Sequence, residues 1–297
     1  MIYYLSETTG WSPTFAGVPT KEIPLWYTSD GTQSTITGLD YWYTGHLPLP
    51  AILDGCPVTS IDNWAFSYCT FLTSVAIPAS VTDIGNNAFN SCSALVAIDV
   101  SANNPNYASS DGVLFDKALS TLIRCPRGYA GPYTVPDGTT HIGEDAFESC
   151  EFLSSVTVPA SVTSIGGDAF QRCPILTAVL FTGDAPTPGY SVFYDTPATV
   201  YYLPGKNGWT SSTFAGRPAV CWNPVFSSAT PASGAFSLTL SGNANASLTV
   251  YIEASESLTS PDWVILDRIT IPAGGTVTFT DTDFGTYPAR FYRVTLP

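Results

Sequence analysis

Charge is scarce in this chain. Asp, Glu, Lys and Arg make up 11% of it, where soluble domains usually carry about a quarter. What charge there is leans acidic, for a net of −14. That balance repels phosphates and excludes a nucleic-acid partner. It also disfavours docking on anionic lipid. No apolar run approaches the ~20 residues that span a bilayer, so no membrane insertion is expected. The opening stretch, Met1-Ile2-Tyr3-Tyr4-Leu5-Ser6-Glu7, lacks the basic start and apolar core of a signal peptide. An export signal is therefore expected upstream.

Groups that carry chemistry are equally thin. The two histidines, His46 and His141, form no nucleophile–base–acid pattern with neighbours in sequence. The cysteines, at 56, 69, 92, 125, 150, 173 and 221, are odd in number, unlike a disulfide framework. None forms the Cys-x-x-Cys pair common in zinc sites. Asp281 and Asp283, with Asp262 and Asp267, are too few for the six to eight oxygens of calcium. Glu144-Asp145 could serve glycoside chemistry. They stand, however, at repeat positions held elsewhere by Asn86 and Asn87, which reads as a solvated face. No catalytic residue, metal ligand or cofactor is assigned.

What the chain has is repetition. Four segments share one text: Val58-Thr59-Ser60-Ile61 with Ala65-Phe66, Cys69, Leu72 and Val75; Val81-Thr82-Asp83-Ile84-Gly85 with Ala88-Phe89, Cys92, Leu95 and Ile98; Thr140-His141-Ile142-Gly143 with Ala146-Phe147, Cys150, Leu153 and Val156; and Val162-Thr163-Ser164-Ile165-Gly166 with Ala169-Phe170, Cys173, Leu176 and Val179. The spacing is 23 residues within each pair and 58 between Ile84 and Ile142. The surplus of 35 predicts one longer rung, with Gly112–Phe115 and Leu119–Ile123 as strand-like pieces. Leu72–Ile77 alternates, so Val75 and Ile77 face one way and Ser74 and Ala76 the other. Pro78 ends that strand. Val81 and Ile84 start the return, Gly85 permits a turn, and Asn86–Cys92 is predicted to make about two helical turns. One rung cannot bury Phe89, Cys92 and Leu95 alone, but stacked rungs can. The cysteine column reads as buried thiols.

This text, from Val158-Pro159-Ala160-Ser161-Val162-Thr163-Ser164-Ile165-Gly166 through Ala169-Phe170, Cys173 and Leu176, resembles the BspA-like leucine-rich repeat of bacterial surface proteins over roughly residues 36–182. Asn104-Pro105-Asn106-Tyr107, Asp111–Phe115 and Cys125-Pro126 look like that family's variant repeat. The resemblance implies a solenoid of short strands and short helices, export, and binding or adhesion. After Cys221-Trp222-Asn223-Pro224, five strand-like runs follow: Phe236–Leu240, Leu248–Ala254, Trp263–Ile271, Thr276–Thr280 and Phe291–Leu296. They predict a small antiparallel β-sandwich, and Pro288–Val294 resembles the last strand of fibronectin-III-like domains. The fold class expected is thus a mostly β repeat protein, a leucine-rich-repeat solenoid followed by a sandwich.

Residues 3–20 and 201–219 are near copies, sharing Tyr-Tyr-Leu, Gly-Trp and Thr-Phe-Ala-Gly. The second copy reads as the closing cap of the array, and the first as the remnant cap (1–22) of a preceding one or, alternatively, as a segment that packs locally and serves this array. An N-terminal cap with a hairpin around Asp30-Gly31 is expected over 23–57, repeats over 58–182, a C-terminal cap over 183–222 and the Ig/fibronectin-III-like sandwich over 223–297.

The expected binding surface is the concave strand face: Ser74, Ala76, Ala97, Asp99, Ser155, Thr157, Ala178 and Leu180. A second candidate is the aromatic set Trp26, Tyr27, Tyr41, Trp42 and Tyr43. Its members either stack on a ligand or, as favoured here, pack inside the cap. The expectation is an extracellular monomer that binds a protein or glycan, with a passive spacer or the non-catalytic arm of a larger protein as the alternative.

Overall fold

The computed structural model describes residues 2–5, 14–232, 235–242 and 248–295. The protein is a mostly β solenoid followed by antiparallel sheets that form a small sandwich. Two compact units divide it: residues 1–154, 161–176 and 186–197 form one, and residues 155–160, 177–185 and 198–297 the other.

In the first unit the rungs stack as predicted. Strands Gly45–Pro48, Leu72–Ile77 and Ala97–Val100 pair in parallel. The return strands Ser34–Leu39, Cys56–Ile61 and Asp83–Ile84 do the same. The hairpin of Leu25–Ser29 and Ser34–Leu39 therefore supplies the first return strand and covers it. Its turn is tied by Asp30, whose carboxylate accepts from the Thr32 hydroxyl at 2.7 Å and the Thr32 and Gln33 amides at 2.8 and 2.9 Å. Those bonds, the hydroxyl first, hold the Asp30 carboxyl down at about 2.

The column of apolar groups is continuous within each regular pair. Phe66 stacks on Phe89 at 5.4 Å, and Phe147, Phe170 and Phe193 stack at 4.8 and 5.2 Å. All five are buried. Each such ring stabilises the fold by roughly 1.5–3 kcal/mol through burial, and each stacked pair adds about 1 kcal/mol.

The predicted helical turns over Asn86–Cys92 do not form. The segment is a run of turns, and the one helix among the described residues is the short 3₁₀ turn Phe284–Thr286. Two left-handed residues per rung prevent a helix. Trp64, Asn87, Asp145, Asp168 and Ser191 have φ of 49–61°, and four residues on Tyr68, Ser91, Ser149, Arg172 and Asp195 have φ of 53–61°. That geometry turns amides toward the neighbouring rung. Trp64, Phe66 and Tyr68 donate to the carbonyls of Asn86, Ala88 and Asn90 at 2.8–3.1 Å. Gly85 also differs from expectation. Its need is space rather than a positive φ: a Cβ there would lie 2.4 Å from the Asn63 nitrogen.

The cysteine column donates along the stack. Cys92 Sγ reaches the Phe66 carbonyl at 3.0 Å and Cys173 Sγ the Phe147 carbonyl at 3.0 Å. In the next rung Thr196 Oγ1 takes the same place, donating to the Phe170 carbonyl at 2.5 Å. Burial pushes the thiols of Cys69 and Cys92 up to about 11 and 12, so they stay protonated donors.

The longer rung contains the two expected strands as Val113–Asp116 and Thr121–Arg124, and a third, Tyr107–Ser110. Asn104 locks it. Its buried side chain donates to the carbonyls of Pro78 and Val81 at 3.0 and 2.7 Å and accepts from the amides of Asn106 and Tyr107 at 2.9 and 2.8 Å.

In the second unit Leu153–Val158, Ala178–Phe181, Thr199–Tyr202 and Arg217–Cys221 pair in parallel. The last turns through Ala215-Gly216, both with positive φ, onto the antiparallel strand Thr213–Phe214. Tyr202 and Phe214 pack on Trp209, and the Trp209 indole donates to the Gly183 carbonyl at 3.2 Å. In the first unit Ile2–Leu5, Thr14–Phe15 and Val18–Ile23 repeat this topology, as the near-copied sequences imply.

The sandwich has two three-stranded sheets, Val225–Ala232, Ala235–Ser241 and Thr276–Asp281 in one, Val264–Ile271, Leu248–Ser255 and Phe291–Thr295 in the other. The five expected runs are present, although Leu296 lies outside the described residues. Val225–Ala232 is a sixth. Its polar text and Pro231 hide it from pattern reading, and it occupies an edge, where proline is tolerated. Asp281, weighed for calcium, is instead ion-paired to Arg290 at 2.7 Å and accepts from the Tyr292 hydroxyl at 2.9 Å.

Two outcomes follow. Ellman's reagent added to native protein will react with Cys221, which is half-buried, while the other six thiols, all buried, react only on unfolding. Replacing Asn104 by Ala will lower stability by about 3 kcal/mol, since four backbone groups lose their partner at once; urea denaturation checks it.

Candidate functional site

In the first unit four of the strand positions named for the binding face, Ser74, Ala76, Ala97 and Asp99, fall into two rows. His46, Ser74 and Ala97 stand side by side in register, as do Pro48, Ala76 and Asp99. All point away from the core formed by Leu47, Val75 and Ile98. His46 Nδ1 lies 2.8 Å from Ser74 Oγ, a pairing that distance in sequence concealed. Among the described residues no carboxylate bonds the His46 ring, so the pair lacks the acid that orients a nucleophile's base. His141 contacts Thr140 Oγ1 through Nδ1. The hairpin turn Asp111-Gly112 lies against Ala97: a Cβ on Gly112 would come 2.9 Å from the Ala97 methyl.

In the second unit Ser155 and Thr157 are in register with Ala178 and Leu180, and these with Thr199 and Tyr201. Ala178 is only 1% exposed and belongs, with Tyr201, to the cluster of Leu238, Leu240, Val250, Ile252 and Ile271 of the sandwich; Leu180 packs against it. The sandwich core thus covers the strand positions Ala178 and Leu180. Ser155 and Thr157 are half-buried.

The aromatic set splits. Tyr43 is buried, its hydroxyl donating to the His46 carbonyl at 2.6 Å, and Tyr27 is half-buried against the same core. Trp26, Tyr41 and Trp42 are exposed, contrary to the expectation that they pack inside the cap. Trp26 lies flat over Gly38, whose missing side chain makes room for the ring. Asp40 Oδ1 accepts the Trp42 amide at 2.9 Å, and with Tyr43 anchored the loop turns Tyr41 and Trp42 outward. Trp42, 65% exposed, stacks on Phe71 at 6.4 Å and 18°.

Phe71 escaped the sequence reading. It precedes the strand leucine of its rung, and the equivalent positions hold Ala94, Phe152 and Ile175. Phe152 and Ile175 are exposed as well. Apolar residues at a repeat position outside the core pattern were the available signal. Trp64 and Tyr68 were missed too. They occupy both left-handed positions of their rung, where other rungs have Asn, Asp, Ser or Arg, and both are exposed. Bulky residues are uncommon in that conformation, and strain of this kind clusters at functional surfaces.

Residues 52–112 and 132–216 match the BspA type leucine rich repeat region, in six copies. The array is built of BspA-type leucine-rich repeats. Solved structures of bacterial leucine-rich repeat proteins are similar to the chain. One, from Eubacterium ventriosum, is 22% identical with a TM-score of 0.41, over 54% of this chain and 48% of that one. The pneumococcal vaccine antigen PcpA is 15% identical with a TM-score of 0.43, over 67% and 84%. A leucine rich cell surface protein from Faecalibacterium prausnitzii is 25% identical with a TM-score of 0.40, over 60% of each. The chain thus spans less than half of the Eubacterium protein. No curated protein is similar in sequence. Among the described residues no helix is long and apolar enough to cross a membrane.

Replacing Trp64 or Tyr68 by Asn will raise stability by about 1 kcal/mol, because Asn tolerates the left-handed region. Thermal denaturation will show a higher Tm for each variant.

Proposed function

We propose that this protein is an extracellular bacterial binding or adhesion module whose ligand is a protein or a glycan. The observation that carries the reading is the exposed pair Trp42 and Phe71 at the margin of the rows His46–Ser74–Ala97 and Pro48–Ala76–Asp99, in which Asp99 is the one carboxylate. Large rigid aromatics contribute contact area with little entropy to lose, and small neighbours permit close approach. Ser155 and Thr157 extend the polar rows in their own unit; Ala178 and Leu180 serve the sandwich contact instead. The BspA-type repeats support export and surface display, and a monomer is the working assembly. Within this reading, residues 1–22 and 183–222 are caps, 23–57 covers the first rung, and the sandwich is Ig- or fibronectin-III-like.

A passive spacer is the second reading, favoured by the covered positions Ala178 and Leu180. Glycan and host-protein arrays separate the two. Adhesion predicts a ligand whose binding falls at least about tenfold, the equivalent of 1.4 kcal/mol, in Trp42→Ala and Phe71→Ser. Arrays at background, or binding indifferent to both variants, would leave the spacer.

A further inference from the structure

Rung stacking leaves the sideways amides of one turn unanswered, Asn87 and Phe89 among them. In the regular turns the left-handed residue and the phenylalanine two places on both donate to the next rung: Trp64 to Asn86 and Phe66 to Ala88, Asp145 to Gly167 and Phe147 to Ala169, Asp168 to Tyr190 and Phe170 to Val192, at 2.7–3.1 Å. Asn87 and Phe89 occupy the same positions. The rung after them is the long variant, which takes a different course, and among the described residues their amides meet no acceptor. A groove of about 290 Å³ stands there instead. Gly85, Asn86, Asn87, Ala88 and Phe89 make one lip; Glu144, Asp145 and Arg124 make the other; Ile84, Leu114 and Ile123 form the floor.

The two lips differ. On the far lip the Ala146 carbonyl accepts the Cys125 amide at 2.7 Å, the Asp145 carbonyl accepts from Arg124 Nη1 at 2.6 Å, and the Glu144 carboxylate accepts from the Tyr190 hydroxyl. On the near lip the open groups are donors spaced two residues apart. An occupant must therefore bring acceptors at that spacing, as alternate carbonyls of an extended peptide do. Its side chains would face the far lip. There Glu144 and Asp145 stand close to Glu148 and Asp168, with Arg124 as the cation among them; burial first, and then Glu148, push the Asp145 carboxyl up. Arg124 is itself committed to the Asp145 carbonyl and, at 3.6 Å, to Glu148. The lip thus favours added positive charge, as does the net charge of −14.

We propose that this groove binds an extended peptide segment carrying a basic side chain, its carbonyls accepting from Asn87 and Phe89 and its cation meeting Glu144 and Asp145. The site is separate from the strand face and does not depend on it. Binding there adds the rung segment that the variant repeat omits.

The full chain, labelled with nitrogen-15, will be titrated with acetyl-Ala-Arg-Ala-Arg-Ala-amide, its Glu counterpart and maltotetraose, reading the Asn87 and Phe89 amide resonances. The arginine peptide is expected to shift both, and the glutamate peptide to bind at least about tenfold more weakly. In the double variant Glu144→Gln, Asp145→Asn the preference for arginine should vanish. That variant keeps the fold, because Asn already occupies the left-handed position at Asn87; an unchanged Tm checks this. The proposal is overturned if no peptide moves the two amides, if both peptides bind alike to the unaltered chain, if the double variant keeps the preference, or if the sugar shifts them and peptides do not.

Discussion

Backbone amides passed from one turn to the next decide what this solenoid can be. A rung donates sideways from its left-handed residues, at Trp64 and Tyr68 in one rung and Asp145 and Ser149 in another, and its neighbour must present carbonyls at the same height. Any change in the length of a turn would break several such bonds together. Buried amides without partners are costly, so spacing is held at 23 residues wherever two regular rungs meet. The core columns are a consequence of that spacing. Phe66 meets Phe89, and Phe147 meets Phe170, because the backbone has already set the repeat.

The same constraint explains the cysteines. A small donor is needed inside each turn to satisfy a carbonyl facing inward from the preceding rung. Sulfur does this at Cys92 and Cys173, oxygen at Thr196. The position asks for a donor of modest volume rather than for thiol chemistry. Asn104 solves a larger version of the problem where the rung lengthens, joining the carbonyls of Pro78 and Val81 to the amides that open the next strand.

Burial was legible in the residues and backbone handedness was not. Ile61, Phe89, Cys150 and Leu176 could be placed inside from periodicity alone, since an apolar group recurring at one spacing has one economical explanation. Asn86–Cys92 misled because Ala88, Phe89 and Cys92 have the spacing of a helix face, while Asn87 and Ser91, the residues that make a helix impossible, are ordinary polar choices. Trp64 and Tyr68 obscure the rule further by putting aromatics at those positions. Exposure of Trp26, Tyr41 and Trp42 could not be read either: a loop aromatic has the same letters whether it faces in or out, and the anchoring of Tyr43 decides. The contact of Ala178 and Leu180 with the sandwich, and the groove beside Asn87, both arise from segments far along the chain.

One small feature governs how the parallel sheet of the second unit ends. A row of strands running in one direction is a template, and its last member would accept another chain of the same kind. Here the final strand, Arg217–Cys221, folds back through Ala215-Gly216 onto a partner of only two residues that runs the opposite way. So short a strand offers few ladder bonds, and in the wrong sense for a further rung. Filament growth by copies of the molecule joining at this edge is thereby discouraged.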